Sequence, residues 1–315
     1  MSNEKTYKYT EIFRSLQGEG TYTGANTAWL RLFICNLSCS GFGQDDPTDP
    51  STYKPVGAEF DITNIKTIEE LPIFKYGCDS AYSVAKKYKH LVYDQTANEI
   101  ADKLEATLSS PSNPAGKFLH PISNQETHMA FTGGEPLLPF NQKAIIAVMR
   151  EFSKRDNCPT MVTVETNATQ MLSDEMEDLI DDFKTTSEYG GLVNDDRGGC
   201  EWFWSTSPKL FSTSGEKYKR AINPKAMRNY ANISNHGQLK YVVNGTDASW
   251  KEVEEATKAF RDVGVDWPVY IMIAGATKEQ QEDPKNKAII MEALARGYNI
   301  SGRLHCHLLG NYIGT

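Results

Sequence analysis

From about residue 127 to its end the chain alternates between short apolar runs and helix-forming segments, and nearly every apolar run closes on a polar motif. HMAFTGGEP leads into the helical NQKAIIAVMREFSK, TMVTVETNAT into the acidic SDEMEDLIDDF, and EWFWSTSPK is followed by a short helix near PKAMRNYANI. QLKYVVNG precedes WKEVEEATKAFRDVG, a helix that Ser249 and Glu252 are expected to cap, and WPVYIMIAG precedes a helix running from Asp283-Pro284 to Arg296. RLHCHLL reads as a last short strand, and the Gly- and Asp-rich stretch at 190 to 200 as a loop. Strands separated by helices cannot pair as tight hairpins, so they cross over and lie parallel. Six or seven such strands predict an α/β fold whose parallel sheet is closed or partly closed as a barrel, with its site at the carboxyl ends of the strands.

The first part of the chain supplies one more strand with chemistry at its end. Thr27 to Cys39, TAWLRLFICNLSC, reads as a buried strand over roughly 27 to 35 that delivers Cys35 and Cys39. Period-two alternation puts Trp29, Arg31, Phe33 and Cys35 on one face, so Arg31 shares the lumen side with the first cysteine and needs a partner there. Ahead of it, residues 8 to 26 contain RSLQGEGTYTG, whose glycines interrupt any helix and predict a loop or hairpin. Residues 40 to 77 break the pattern with Asp45, Asp46, Pro47, Asp49, Pro50 and Pro55 before the weakly helical TIEELPIF. They read as an insertion carried within a single domain of residues 1–315. Beyond Cys78, in GCDSAYS, Thr96 and Glu99 form a capping box for a helix with Ile100, Leu104 and Leu108 at helical spacing, and 109 to 126 is a Pro/Ser/Asn loop.

Composition narrows the function. A net charge of −8 without a sustained Lys/Arg cluster argues against tracking nucleic-acid phosphates, whereas a small or anionic substrate needs only local cations. No run of about 18 apolar residues could span a bilayer, and MSNEKTYKYTE lacks the apolar stretch of a signal peptide. The expectation is a soluble, cytoplasmic protein. Six cysteines in 315 residues suit a reducing compartment where thiols stay free for metal or redox work. Of these, Cys158, Cys200 and Cys306 read as ordinary thiols.

Cys35, Cys39 and Cys78 are a set of thiolates that an iron–sulfur cluster can use, and three protein corners leave one iron open to a small molecule. A structural zinc site would need a fourth ligand, and three unrelated thiols are the plain alternative. In FTGGEP, Gly133 and Gly134 permit close backbone approach, and Glu135 with nearby carbonyls can receive an ammonium group; a strand-ending turn explains the same residues. Glu165, Thr166 and Asn167 can bind ribose hydroxyls and a second carboxylate, or cap a loop. Ser207-Pro208-Lys209 puts a hydroxyl and a cation at another strand end, or a solvated lysine in a turn.

In their order along the chain, EIFRSLQGEGTYTG at 11 to 24, WLRLFICNLSC at 29 to 39, CDSAYS at 78 to 83, FTGGEP, VETNAT at 164 to 169, SPK at 207 to 209 and LKYVV at 239 to 243 form a set. The set resembles the 7-carboxy-7-deazaguanine synthase family of the radical S-adenosylmethionine superfamily, whose cluster motif is CxxxCxxC. The resemblance implies a partial, incomplete parallel β/α barrel of the radical S-adenosylmethionine type, with an insertion in the cluster loop. It implies a 4Fe-4S cluster on Cys35, Cys39 and Cys78, with S-adenosylmethionine on the open iron and held by Gly133, Gly134, Glu135, Glu165, Asn167, Ser207 and Lys209. The implied reaction converts 6-carboxy-5,6,7,8-tetrahydropterin to 7-carboxy-7-deazaguanine by ring contraction with loss of ammonia. Gln17 and Glu19 would accept the guanidine-like edge of that substrate, and Arg31 or a magnesium ion on Ser80 would meet its carboxylate. The implied partners are a homodimer mate and an electron donor such as flavodoxin, with no direct contact to nucleic acid or membrane.

The chain departs from the family at three places. Phe42 stands where the third cysteine usually lies, so that residues 40 to 77 separate Cys39 from Cys78. Ser80 replaces a threonine, keeping the hydroxyl. Near the C-terminus a Gln-x-His-Lys pattern gives way to His305-Cys306-His307-Leu308. Two other readings use the same residues: a radical activase of a glycyl-radical protein, and a non-catalytic zinc protein that adds His305 or His307 to the three cysteines.

Overall fold

The computed structural model describes residues 4–55, 61–185, 199–310 and 312–314. The chain opens with a hairpin. Strand β1 (Thr6–Leu16) pairs antiparallel with β2 (Asn26–Leu32), and the glycine-rich stretch between them is the turn. After short 3₁₀ turns come β3 (Tyr93–Thr96), α1 (Ala97–Leu108), β4 (His128–Gly133), α2 (Pro139–Lys154), β5 (Met161–Thr166) and α3 (Asp174–Thr185). The second half runs β6 (Glu201–Thr206), α4 (Phe211–Ser214), α5 (Tyr218–Ala221), α6 (Pro224–Ile233), β7 (Gly237–Val243), α7 (Asp247–Arg261), β8 (Val269–Ile273), α8 (Lys278–Gln281), α9 (Asn286–Ala295), β9 (Asn299–Ile300) and α10 (Leu304–Leu308). The nine strands form one sheet in the order β3-β1-β2-β4-β5-β6-β7-β8-β9, parallel from β2 onward.

Alternation divides each strand between two environments. Leu30, Leu32, Met129, Phe131, Val162, Val164, Trp202, Trp204, Leu239, Tyr241 and Ile271 face the helices and join Leu104, Met149, Ile180, Tyr230, Val253 and Phe260 in the main core. The intervening residues Arg31, Thr132, Glu165, Ser205, Gln238 and Lys240 point the other way, so the concave face is polar although it is largely closed off. Closure comes from the two ends of the sheet: Arg303, after β9, reaches Asp79, and Ile313 packs on the cluster that contains Tyr82. The sheet edges β3 and β9 do not pair with each other, which makes the barrel incomplete.

Several local expectations change. The strand expected over 27 to 35 stops at Leu32, because Ile34 takes φ 76 and turns the chain out of the sheet. The last expected strand, RLHCHLL, is instead the short helix α10, and the edge pairing is made by β9 before it. Helix α7 is capped by Thr246, which accepts from Ser249 N; the Glu252 carboxylate instead receives Ser212 N and Oγ. The capping box of Thr96 and Glu99 forms as expected. Most of the loop expected at 190 to 200 lies outside the described residues. No helix among the described residues is long and apolar enough to cross a membrane.

Candidate active site

A cavity of about 400 Å³ opens on the concave face at the carboxyl ends of the strands. All three cysteines of the expected cluster, Cys35, Cys39 and Cys78, line it and are free thiols. The loop that carries the first two is shaped by two departures from ordinary backbone, Ile34 at φ 76 and Cys39 at φ 47. A β-branched residue in the left-handed region costs on the order of 1–3 kcal/mol, so the neighbours must hold it. They do: Ile34 N donates to Ser83 O at 2.7 Å, and Glu135 N donates to Ile34 O at 2.9 Å. Glycines make the second contact possible. A Cβ on Gly134 would lie 2.4 Å from the Ile34 carbonyl, and one on Gly133 would lie 2.2 Å from Leu32 O.

The far side of the same loop is held by Glu216. One oxygen of its carboxylate receives Ser38 N at 2.7 Å, Ser38 Oγ at 3.0 Å and Cys39 N at 2.9 Å, while Arg220 pairs with the other oxygen and bonds Asn36 O. Polar groups also reach the first sulfur: Leu37 N lies 3.3 Å and Asn167 Nδ2 3.6 Å from Cys35 Sγ. Burial raises the Cys35 thiol to about 12 and the Cys78 thiol to about 11, so ionisation there needs a metal or another cation. Among the described residues no group of three Cys, His, Asp or Glu is placed to hold a single metal ion, but three free thiols lining one cavity, N–H donors at one sulfur and Lys209 nearby fit the donor set of a thiolate-ligated cluster with an open side.

The opposite part of the cavity is a buried ion network. Glu19 rises from the hairpin turn and bonds Lys240 Nζ at 2.6 Å through one oxygen and Arg303 Nε at 3.1 Å through the other. Lys240, whose side chain is only 3% exposed, also reaches Glu165 at 3.0 Å, and Gln17 Nε2 donates to the same carboxylate at 3.0 Å. Burial alone would raise the Glu19 pKa, but Lys240, Arg303 and His305 outweigh it and hold the carboxyl well below the usual carboxylate range. The turn reaches this depth because of its glycines: a Cβ on Gly18 would lie 1.8 Å from His305 Nδ1, and one on Gly20 would lie 2.2 Å from Gln238 Nε2.

Arg31 stands between the two ends. It pairs with Glu11, its cross-strand neighbour, at 2.8 Å, donates to Ser80 Oγ at 3.1 Å, and lies over the rings of Phe13 and Tyr82. Gln17, Glu19, Arg31, Ser80, Gly133, Gly134, Glu165, Asn167, Ser207 and Lys209 all line the cavity with the cysteines. Glu135 does not. It is fully buried, and its carboxylate receives Thr166 Oγ1, Asn167 N and Leu137 N, so it braces the strand ends instead of meeting a ligand. Burial raises its pKa against those hydrogen bonds. His307 pairs with Glu282 at 3.3 Å, away from the cavity lining. Sequence reasoning passed over Glu11, Asp79, Glu216, Lys240 and Arg303. Lys240 alone carried a visible signal, a cation in the middle of an apolar strand, QLKYVV.

No family profile matches the chain. A 7-carboxy-7-deazaguanine synthase of Rhodopirellula baltica is 22% identical over an alignment covering 100% of this chain and 91% of that protein. The chain is similar, end to end, to a 7-carboxy-7-deazaguanine synthase. A second enzyme of that name, from Koribacter versatilis, is 58% identical over 31 residues, 10% of this chain and 14% of its own length. The crystal structure of QueE from Escherichia coli superimposes with a TM-score of 0.48 and 15% identity over 95% of each chain.

Proposed function

We propose that this protein is a radical S-adenosylmethionine enzyme that converts 6-carboxy-5,6,7,8-tetrahydropterin to 7-carboxy-7-deazaguanine with loss of ammonia. The observation that carries the reading is a single cavity with three thiols at one end and a pre-ordered carboxylate, Glu19, at the other. The resemblance of the sequence to 7-carboxy-7-deazaguanine synthases supports it. Cys35, Cys39 and Cys78 would hold a 4Fe-4S cluster with one iron left open for the S-adenosylmethionine amino and carboxylate groups, and the bound pair would supply the one-electron radical chemistry that removes a hydrogen atom from the substrate.

The protein's own part is positioning and charge. Gly133, Gly134, Asn167, Ser207 and Lys209 border the thiol end of the cavity and would contact the S-adenosylmethionine. Glu19 and Gln17 offer acceptors to the N–H-rich edge of a pterin, and Glu19 stays ionised throughout the neutral range because of the cations beside it. Arg31 would meet the substrate carboxylate. Arg31 donates to the Ser80 hydroxyl, so the two groups that would meet the substrate carboxylate, a guanidinium and a hydroxyl able to ligate magnesium, already lie side by side. A second copy of the chain and a one-electron donor of the flavodoxin kind complete the proposed assembly.

The test is anaerobic reconstitution with iron and sulfide. The protein should turn brown, and with reductant, S-adenosylmethionine and the carboxylated pterin it should release ammonia and form the deazaguanine, as read by mass spectrometry. Cys78→Ala should lose the full cluster while Cys158→Ala keeps it. Formation of 5′-deoxyadenosine with the pterin unchanged would reject the substrate; a colourless protein retaining zinc would reject the reaction class.

A further inference from the structure

Arg303 takes no part in the proposed binding of substrate, yet it bonds both Glu19 and Asp79, the residue that follows Cys78. Each of its three guanidinium nitrogens is already engaged: Nε donates to Glu19 at 3.1 Å, one terminal nitrogen to Gly275 O at 3.0 Å, and the other to Asp79 at 2.7 Å. An arginine so occupied is poorly placed to bind a substrate carboxylate. It is well placed to fix two protein carboxylates with respect to each other, and it does so through separate nitrogens of a rigid planar fork, a directional geometry that a lysine ammonium at the same position does not reproduce.

What it fixes are two functional segments. Asp79 follows Cys78 directly, and Glu19 is the acceptor at the other end, already gripped through its second oxygen by Lys240. Without a cation between them Asp79 and Glu19 repel. The network of Asp79, Glu19 and Glu165 with Arg303 and Lys240 holds three carboxylates against two cations. One negative charge is left over, complementary to the N–H-rich edge of a ligand. Building on the proposed function, we infer that Arg303 is a positioning residue: it ties Glu19 to the cluster loop at Asp79, so that the ring-binding carboxylate and the thiol end of the cavity are set as one unit.

The test uses the full chain with its cluster reconstituted and quantified, and compares wild type with Arg303→Lys, Arg303→Gln and Asp79→Asn. Binding of 6-carboxy-5,6,7,8-tetrahydropterin and of S-adenosylmethionine is measured separately by anaerobic calorimetry, alongside thermal unfolding. Both Arg303 variants should weaken pterin binding about tenfold or more while S-adenosylmethionine affinity changes less than about threefold. Arg303→Lys keeps the charge and should keep the melting temperature close to that of wild type without restoring pterin affinity. Asp79→Asn should weaken pterin binding too, and add little in the Arg303→Gln background. Wild-type pterin affinity in Arg303→Lys would overturn the inference. So would a parallel fall of both affinities with melting temperature, since that is the mark of an ion pair serving the fold alone. If wild type itself binds S-adenosylmethionine but no pterin, the substrate reading falls first and this inference with it.

Discussion

Glu19 is the residue whose surroundings make the clearest prediction about pH. Burial works against its charge, but the adjacent cations win, so its folded pKa lies below the value in the unfolded chain. A depressed carboxyl contributes stability that is complete above the unfolded pKa, about 4.3, and is lost only as pH falls through the folded value. The difference in melting temperature between wild type and Glu19→Gln should therefore not shrink from about pH 8 to about pH 5, since His305 can only add positive charge beside Glu19 as pH falls, and it should be lost only in more acid solution. A difference that already fades between neutrality and pH 6 would contradict the assigned surroundings. Part of this was legible beforehand. An arginine inside an apolar strand predicts a partner for Arg31, and the partner is Glu11 on the adjoining strand. Lys240 and Arg303 were not read as partners of Glu19, because both contacts join segments distant in sequence and no local pattern encodes them.

At the scale of elements, the cluster loop is held from two sides, and each side has its own requirement. The strand side uses the small size of Gly133 and Gly134, as the motif suggested, although the first thing they admit is the protein's own chain between Leu32 and Cys35. The helix side depends on Glu216. Glu216→Ala strips three donors of their acceptor, and the Cys39 amide is too buried for water to replace it freely. We expect a loss of roughly 1–3 kcal/mol in chemical denaturation, with iron retained less well than in wild type. Equal stability and equal iron content would mean that the loop keeps its shape without this carboxylate. Strand and helix order was readable from hydrophobic period, since β4 to β8 each bury one face against helices. The end of the chain was not: RLHCHLL alternates weakly, and its fate as a helix was decided by β9 taking the sheet edge and Arg303 turning into the cavity.

For the whole molecule the notable fact is a second, smaller core. Ile68, Leu71 and Phe74, from the stretch between Cys39 and Cys78, pack with Ala81, Tyr82, Tyr88 and Leu91 from beyond Cys78, and Ile313 joins from the C-terminal end. Phe74 stacks on Tyr82 with ring centroids 6.3 Å apart and meets Tyr88 edge-on at 5.9 Å. Tyr82 in turn donates to Glu11 at 3.1 Å, the carboxylate that pairs with Arg31. From composition alone this region reads as a polar, proline-broken insertion, because its few apolar residues are spaced by no single period and complete their cluster with residues beyond Cys78. We propose that this core is the unit that presents Cys78 to the cavity, since the cysteine lies between Phe74 and Tyr82. Phe74→Ala removes its central ring, a change that costs about 3 kcal/mol or more in a packed core. In a unit separate from the main core that loss should appear as local opening, with global unfolding little changed. The expected result is faster proteolytic cutting within residues 61–91 and less iron held after reconstitution, at a melting temperature close to wild type. If Phe74→Ala instead lowers the melting temperature while cutting rate and iron content stay the same, the second core is merely an extension of the first and Cys78 is positioned from elsewhere.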